Sequence, residues 1–216
     1  MATTCPLRKA LNEFSEEKLE VEDLAREFPN CQCEAAVSPN GSPGPVSKGE
    51  MLRLYLTAPS HLRVRKRDDL KKRAFKVASL KRAFAKGLSV CRLDRASPAE
   101  IAHTQESLHS VQVDINGDCG GLVGAIDFPV DCVRSCPDGT APLCAYETPL
   151  DIQEDGSYLR PSHCDLVASI GGLSDEEKKA SRDIVFNQMN QIGRLRDHRP
   201  DGEFDISTLV PKAAQK

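Results

Sequence analysis

Met51-Leu52-Arg53-Leu54-Tyr55-Leu56-Thr57 sets the reading of the whole chain. Leu52, Leu54 and Leu56 alternate with Arg53, Tyr55 and Thr57. That is the two-residue period of a strand with one face in a core. Ala58-Pro59-Ser60 stops the strand, and the residues after it change character at once. Between His61 and Lys86 stand eleven Lys or Arg against Asp68 and Asp69, a net +9 in a chain whose total is −3. Everything outside this window therefore sums to −12. Charge concentrated in this way is a statement about electrostatics and names no reaction.

Toward the C-terminus the pattern is mixed. From Asp68 to Ala85 a helix is predicted, with Leu70, Ala74, Val77, Leu80 and Phe84 on one face. Gly87-Leu88-Ser89-Val90-Cys91-Arg92-Leu93 reads as a turn into a short strand. Ser97-Pro98-Ala99-Glu100 supplies a cap, a proline at the first helical position and a capping box, predicting a helix to about His109. Val111, Val113 and Ile115 alternate with polar residues and predict a strand. Leu122 to Phe128, Leu143 to Thr148 and His163 to Ile170 are further strands, and residues 131–142 read as a loop. Ser174-Asp175-Glu176-Glu177 is a second capping box, opening a helix with Ile184, Val185, Met189, Ile192 and Leu195 on one broad face. The sum is an α+β protein: a small, mainly antiparallel sheet with two or three helices.

Toward the N-terminus, Ser15 caps an acidic helix running to about Phe28, with Pro29-Asn30 ending it. Ser38 to Gly49 is a linker by composition. The expected layout is therefore a dispensable helical extension at 1–49, one domain at 50–198 and a loose tail at 199–216. No apolar run approaches the roughly 20 residues a membrane span needs, and the N-terminus lacks an apolar h-region. A soluble cytoplasmic protein with no membrane partner is expected. Its nine cysteines should then be reduced thiols.

Three sets of residues are candidates for function. The first is the basic segment, whose Arg63, Arg65, Lys66, Arg67, Lys72, Lys76, Lys81, Arg82 and Lys86 would contact an anionic partner, nucleic acid or an acidic protein. Clustered cations neutralise phosphates and release counterions without any specific motif. The second is catalytic. In a small toxin- or defence-type enzyme, an ADP-ribosyltransferase-like transferase or a nuclease, Arg53, Tyr55, Ser89, Arg92 and His163 would line one cleft. On a strand His163 and Asp165 share a face, and an imidazole beside a carboxylate is a pairing suited to acid/base work. The third is metal. Cys132, Cys136 and Cys144 are spaced more loosely than the two close pairs of a structural zinc site, so neither metal nor cofactor is expected.

From Met51 onward the layout resembles a group of small, uncharacterised bacterial proteins. The resemblance is carried by Leu52-Arg53-Leu54, by Ala83-Phe84 or Ala74-Phe75, and by Leu88-Ser89-Val90. It continues in Pro161-Ser162-His163, Gly172-Leu173-Ser174 and Lys178-Lys179, and so spans residues 51–196. The stretches around Cys119 and from Cys132 to Cys144 are additions to that pattern. The resemblance implies no activity and assigns no role to any residue.

Overall fold

A computed structural model describes Pro6 and residues 25–36, 38–57, 62–63, 74–75, 77–116, 122–135, 142–198 and 204–205. In chain order the strands are β1 (Met51–Thr57), β2 (Leu62–Arg63), β3 (Ala74–Phe75), β4 (Leu88–Arg92), β5 (Leu122–Pro129) and β6 (Leu143–Glu147). They continue with β7 (Leu150–Ile152), β8 (Tyr158–Arg160), β9 (His163–Ala168), β10 (Arg194–His198) and β11 (Phe204–Asp205). The α-helices are α1 (Pro98–Asn116), α2 (Asp131–Arg134) and α3 (Asp175–Ile192), and Val77–Phe84 forms a 3₁₀ helix.

The fold is α+β. One seven-stranded sheet runs β11-β10-β5-β1-β4-β9-β6, and each of its pairs is antiparallel. β1 lies at its centre. Its three leucines face a core shared with Val90, Ile126, Phe128, Leu166, Val185 and Met189, among others. The 3₁₀ helix, α2 and α3 cover that face. α1 covers part of the other, where Leu108 and Ala96 pack on Tyr55, Cys91 and Ala125.

Several sequence expectations are corrected. Where a helix was predicted from Asp68 to Ala85, the described residues form β3 and then the 3₁₀ helix; Asp68–Arg73 fall outside the described residues. With three residues per turn, Val77, Leu80 and Ala83 share one edge, so the apolar spacing suits the tighter helix as well. The predicted strand at 111–115 is the second half of α1. No Gly or Pro stands between Pro98 and Gly117, and a nucleated helix propagates until something breaks it. The β7–β8 hairpin and β10, both unpredicted, start beside turn residues. Gly156 sits at φ +82° in the hairpin loop, and Gly193 joins α3 to β10.

The N-terminal reading changes most. The stretch taken as a linker is packed against the sheet. Val46 belongs to the main core, and the Arg92 guanidinium donates to the carbonyls of Gly44 and Pro45. Ser38 and Ser42 both donate to the buried Glu147 carboxylate. Proline, glycine and serine mark this stretch as irregular, but an irregular segment rich in free carbonyls can still be held by a buried arginine. Upstream, Cys31 is disulfide-bonded to Cys144 of β6, and Cys33 is disulfide-bonded too, so the expectation of nine reduced thiols fails. Glu34 accepts from the β6 backbone N–H of Ala145 at 2.6 Å and from Arg134 Nε at 2.9 Å. Residues 28–36 thus form a strap over the edge strand. Most of the predicted acidic helix lies outside the described residues; Ala25–Glu27 are helical. Among the described residues no helix is long and apolar enough to cross a membrane.

Candidate functional site

α3 begins where its sequence says it should. Ser174 Oγ accepts from the Glu177 backbone N–H at 3.2 Å, and the Glu177 carboxylate accepts from the Ser174 N–H at 2.8 Å. The Ser174 N–H, and then its hydroxyl, hold the Glu177 carboxyl below its ordinary value. The helix buries Val185 and Met189 and packs against the 3₁₀ helix. Between the two lies an open groove of about 640 Å³ lined by Lys81, Phe84, Ala85, Asp175, Glu176, Lys178, Lys179 and Arg182. Four cations and two carboxylates thus face one space. Arg182 Nε is buried there with no hydrogen-bond partner among the described residues.

Of the basic candidates, Lys81, Arg82 and Lys86 are exposed on or just after the 3₁₀ helix. Arg63 is placed only as backbone in β2, and Arg65, Lys66, Arg67, Lys72 and Lys76 lie outside the described residues. Lys178, Lys179 and Arg182 share the groove with Lys81, although the sequence reading of that partner surface stopped at Lys86. The capping box placed their helix correctly, but nothing in one dimension puts it beside residue 81.

The proposed catalytic residues divide between the two faces of the sheet. Register pairs Asp127 with Arg53, Arg53 with Cys91, and Cys91 with His163, forming a row across four strands. Two residues along, Tyr55 follows on β1 and Ser89 on β4, with Ser89 opposite Asp165. Arg53, Tyr55, Ser89 and His163 therefore share the α1 face. Arg92 pairs with Leu52 on the other face, fully buried and held by Glu50, so the expected five-residue cleft does not form. Alternation along β4 is the reason: residues 89 and 91 point one way and 92 the other.

On the α1 face the polar groups are mutually bonded. Arg53 donates to Asp127 through Nε at 2.6 Å and Nη2 at 2.8 Å, an ion pair nearly closed to solvent. Burial favours the neutral guanidine, but Asp127 outweighs it and keeps Arg53 charged. His163 Nδ1 lies 2.7 Å from the Thr148 carbonyl, which can only accept, so Nδ1 carries a proton. Thr148 Oγ1 donates to Asp165 at 2.8 Å, and Ser89 Oγ donates to the other Asp165 oxygen at 3.2 Å. Burial pushes the Cys91 thiol up to about 12, with the Glu100 charge adding to it, so Cys91 is no thiolate nucleophile at neutral pH. Burial likewise pushes the Tyr55 phenol up. Arg53, close to the phenol ring, opposes that shift.

Of the metal candidates, Cys144 is in the bridge to Cys31, Cys132 is a buried thiol outside any disulfide, and Cys136 lies outside the described residues. Among the described residues no group of three or more His, Cys, Asp or Glu is placed to hold a metal ion. No protein-family profile, curated protein or solved structure matches the chain.

Proposed function

We propose that the protein is a binding module for an anionic partner, with nucleic acid the class that its charge distribution favours. The observation that carries this reading is the groove in which Lys81, at the end of the basic segment, meets Lys178, Lys179 and Arg182 of α3. Two stretches far apart in sequence thereby pool their positive charge, while the rest of the chain is acidic. An extended backbone of phosphates can follow such a surface without base-specific contacts. Asp175 and Glu176 also line the groove and offset part of its charge. An enzyme built on Arg53, Tyr55, Ser89, Arg92 and His163 is the weaker reading, because Arg92 belongs to the opposite face.

The test is the salt dependence of binding to duplex DNA and to RNA. Four or five phosphate contacts give a log–log slope of roughly −4, at about −0.9 per phosphate neutralised. Lys81→Gln, Lys178→Gln and Arg182→Gln together should remove up to three contacts from that slope with little sequence dependence. An absence of salt-sensitive binding at low ionic strength sinks the nucleic-acid reading and leaves an acidic protein as the partner. The cytoplasmic placement expected from the N-terminus stands in tension with the Cys31–Cys144 bridge, since cytosolic thiols are kept reduced.

A further inference from the structure

β6 ends the seven-stranded sheet, and the strap of residues 28–36 lies against that end. The Thr148 N–H donates to the His163 carbonyl and the Ser169 N–H to that of Pro142, at the two ends of the β6–β9 pairing. Bonded pairs alternate along an antiparallel ladder, so Cys144 and Tyr146 turn their backbones toward β9. Leu143, Ala145 and Glu147 turn theirs outward. An edge of that kind is a template on which another chain can pair. Here the Glu34 carboxylate takes the Ala145 N–H at 2.6 Å, where a neighbouring strand would supply a carbonyl. Phe28, Cys31 and Ala36 cover the same end of the sheet, packing on a small cluster that includes Tyr146 and Val167.

The strap is held separately from the segment that follows it. From Ser38 onward the chain is fixed by the Glu147 carboxylate, by Arg92 and by Val46 in the main core. The strap's own ties include the Cys31–Cys144 bridge, the Glu34 contacts and the Asn30 N–H, which donates to the Ser169 carbonyl at 2.7 Å. Arg134 also donates to the Val46 carbonyl, so it keeps a partner if Glu34 leaves. Against these ties stands the strap's backbone. Asn30 and Cys31, neither a glycine, sit in the left-handed region at φ +58° and +60°. Such a pair persists only where its surroundings hold it. The bridge fastens one of the two directly to β6.

We propose that residues 28–36 are a redox-operated guard of the sheet edge, closed while the Cys31–Cys144 bridge stands and released when it is reduced. The reductant is a dithiol. Its thiolate attacks Sγ of Cys31, the more exposed of the two residues, and forms a mixed disulfide. The Cys31–Cys144 bond breaks, and Cys144 leaves as a thiolate that takes a proton. The second thiol of the reductant then displaces Cys31, which is protonated in turn. The cysteine pair gains two electrons and two protons, and the dithiol ends as a disulfide. Cys31 then relaxes out of the left-handed region, Glu34 leaves Ala145, and the outward edge of β6 opens while the rest of the sheet stays folded. Reducing surroundings open the edge and oxidising ones close it. The basic groove plays no part in this device.

The test is amide-resolved hydrogen exchange of the full chain, read oxidised, after dithiothreitol and after reoxidation with glutathione disulfide. Reduction should speed exchange at the Asn30 and Ala145 amides about tenfold or more. Thr148, bonded to His163 on the inner side of the same edge, and Val130, bonded to Glu50, should keep their rates. Reoxidation should restore the slow pattern. Cys31→Ser with Cys144→Ser should show the fast pattern without reductant, although Cys33 keeps its own bridge. Slow Asn30 and Ala145 amides in the reduced chain or in the double variant overturn the proposal, since the strap then holds without the bridge. Equal acceleration at Thr148 and Val130 overturns it too, because the bridge then holds the whole fold. So does fast exchange that reoxidation does not reverse.

Discussion

Glu50 and Arg92 hold each other by two hydrogen bonds, Nε to Oε2 at 2.7 Å and Nη2 to Oε1 at 2.8 Å, and Arg92 is fully buried. Nη1 of the same guanidinium donates to the Gly44 carbonyl at 2.5 Å. One side chain of β4 thus fastens both the start of β1 and the loop before it.

Arg92→Met should therefore leave Glu50 buried with only the Ser47 N–H and the more distant, half-exposed Arg95 beside it. Breaking a buried pair from one side costs about 3–5 kcal/mol, which for a chain of this size is roughly 6–20 °C of melting temperature. Thermal unfolding checks it. A loss under about 1 kcal/mol would mean that the pair is open to water, since exposed pairs contribute no more than that.

The same pair predicts a pH dependence. Burial alone would raise the Glu50 carboxyl, but the Arg92 hydrogen bond, the Ser47 N–H and the Arg92 charge together hold it below its ordinary value of 4.5. A depressed folded-state pKa contributes stability above the unfolded value, and that stability is lost as pH falls through the folded value. Denaturant melts taken from about pH 5 down to pH 3 should show the wild-type chain losing more stability than Glu50→Gln. Parallel curves for the two proteins would remove Glu50 from the account.

The Cys31–Cys144 bridge spans 113 residues of sequence. The chain-entropy argument assigns a loop of that length about 4–5 kcal/mol, with measured bridges often giving less. Dithiothreitol, or Cys31→Ser with Cys144→Ser, should lower the melting temperature by several degrees. Alkylation of the unfolded, unreduced chain should leave at least Cys31, Cys33 and Cys144 unmodified. Nine alkylated thiols and a melting temperature indifferent to reductant would show that the bridge does not form.

Gly193 ends α3 and begins the turn into β10 with an ordinary φ of −68°. Its constraint is contact, since an added Cβ would fall 2.3 Å from the Met189 carbonyl oxygen and 3.1 Å from Ile126. Gly193→Ala must shift backbone at the α3–β10 junction. It should destabilise by about 1–3 kcal/mol, the usual range for overpacking. A neutral substitution would mean that the junction has slack.

The strand periods and capping boxes were legible because they depend only on neighbours in sequence. β1, β4, β5, β6, β9 and the start of α3 all lie where alternation and caps put them. The stretch 38–49 was misread because composition records irregularity and not attachment. What attaches it is Arg92, whose role as an anchor shows only once β4 is paired. The polar row Asp127–Arg53–Cys91–His163 was half visible. A charged residue inside each of two apolar strands, Arg53 and Asp127, is the signal that would have linked them. Thr148 was not visible as a partner of His163, because their meeting depends on the β6–β9 register.

The strand order has a consequence for how the chain is made. β1 is synthesised first of the sheet, yet its partners are β4 and β5, and the latter begins only at Leu122. During that interval Leu52, Leu54 and Leu56 have only the 3₁₀ helix and β4 to pack on, and α3, which supplies Val185 and Met189, arrives later still. The nascent chain therefore carries an incompletely covered apolar face until α3 is made, and its folding is dominated by contacts distant in sequence. Such topologies fold in milliseconds to seconds and are exposed to aggregation meanwhile. Ribosome-stalled chains ending before Leu122 should stay protease-sensitive throughout, with protection appearing only once α3 has emerged.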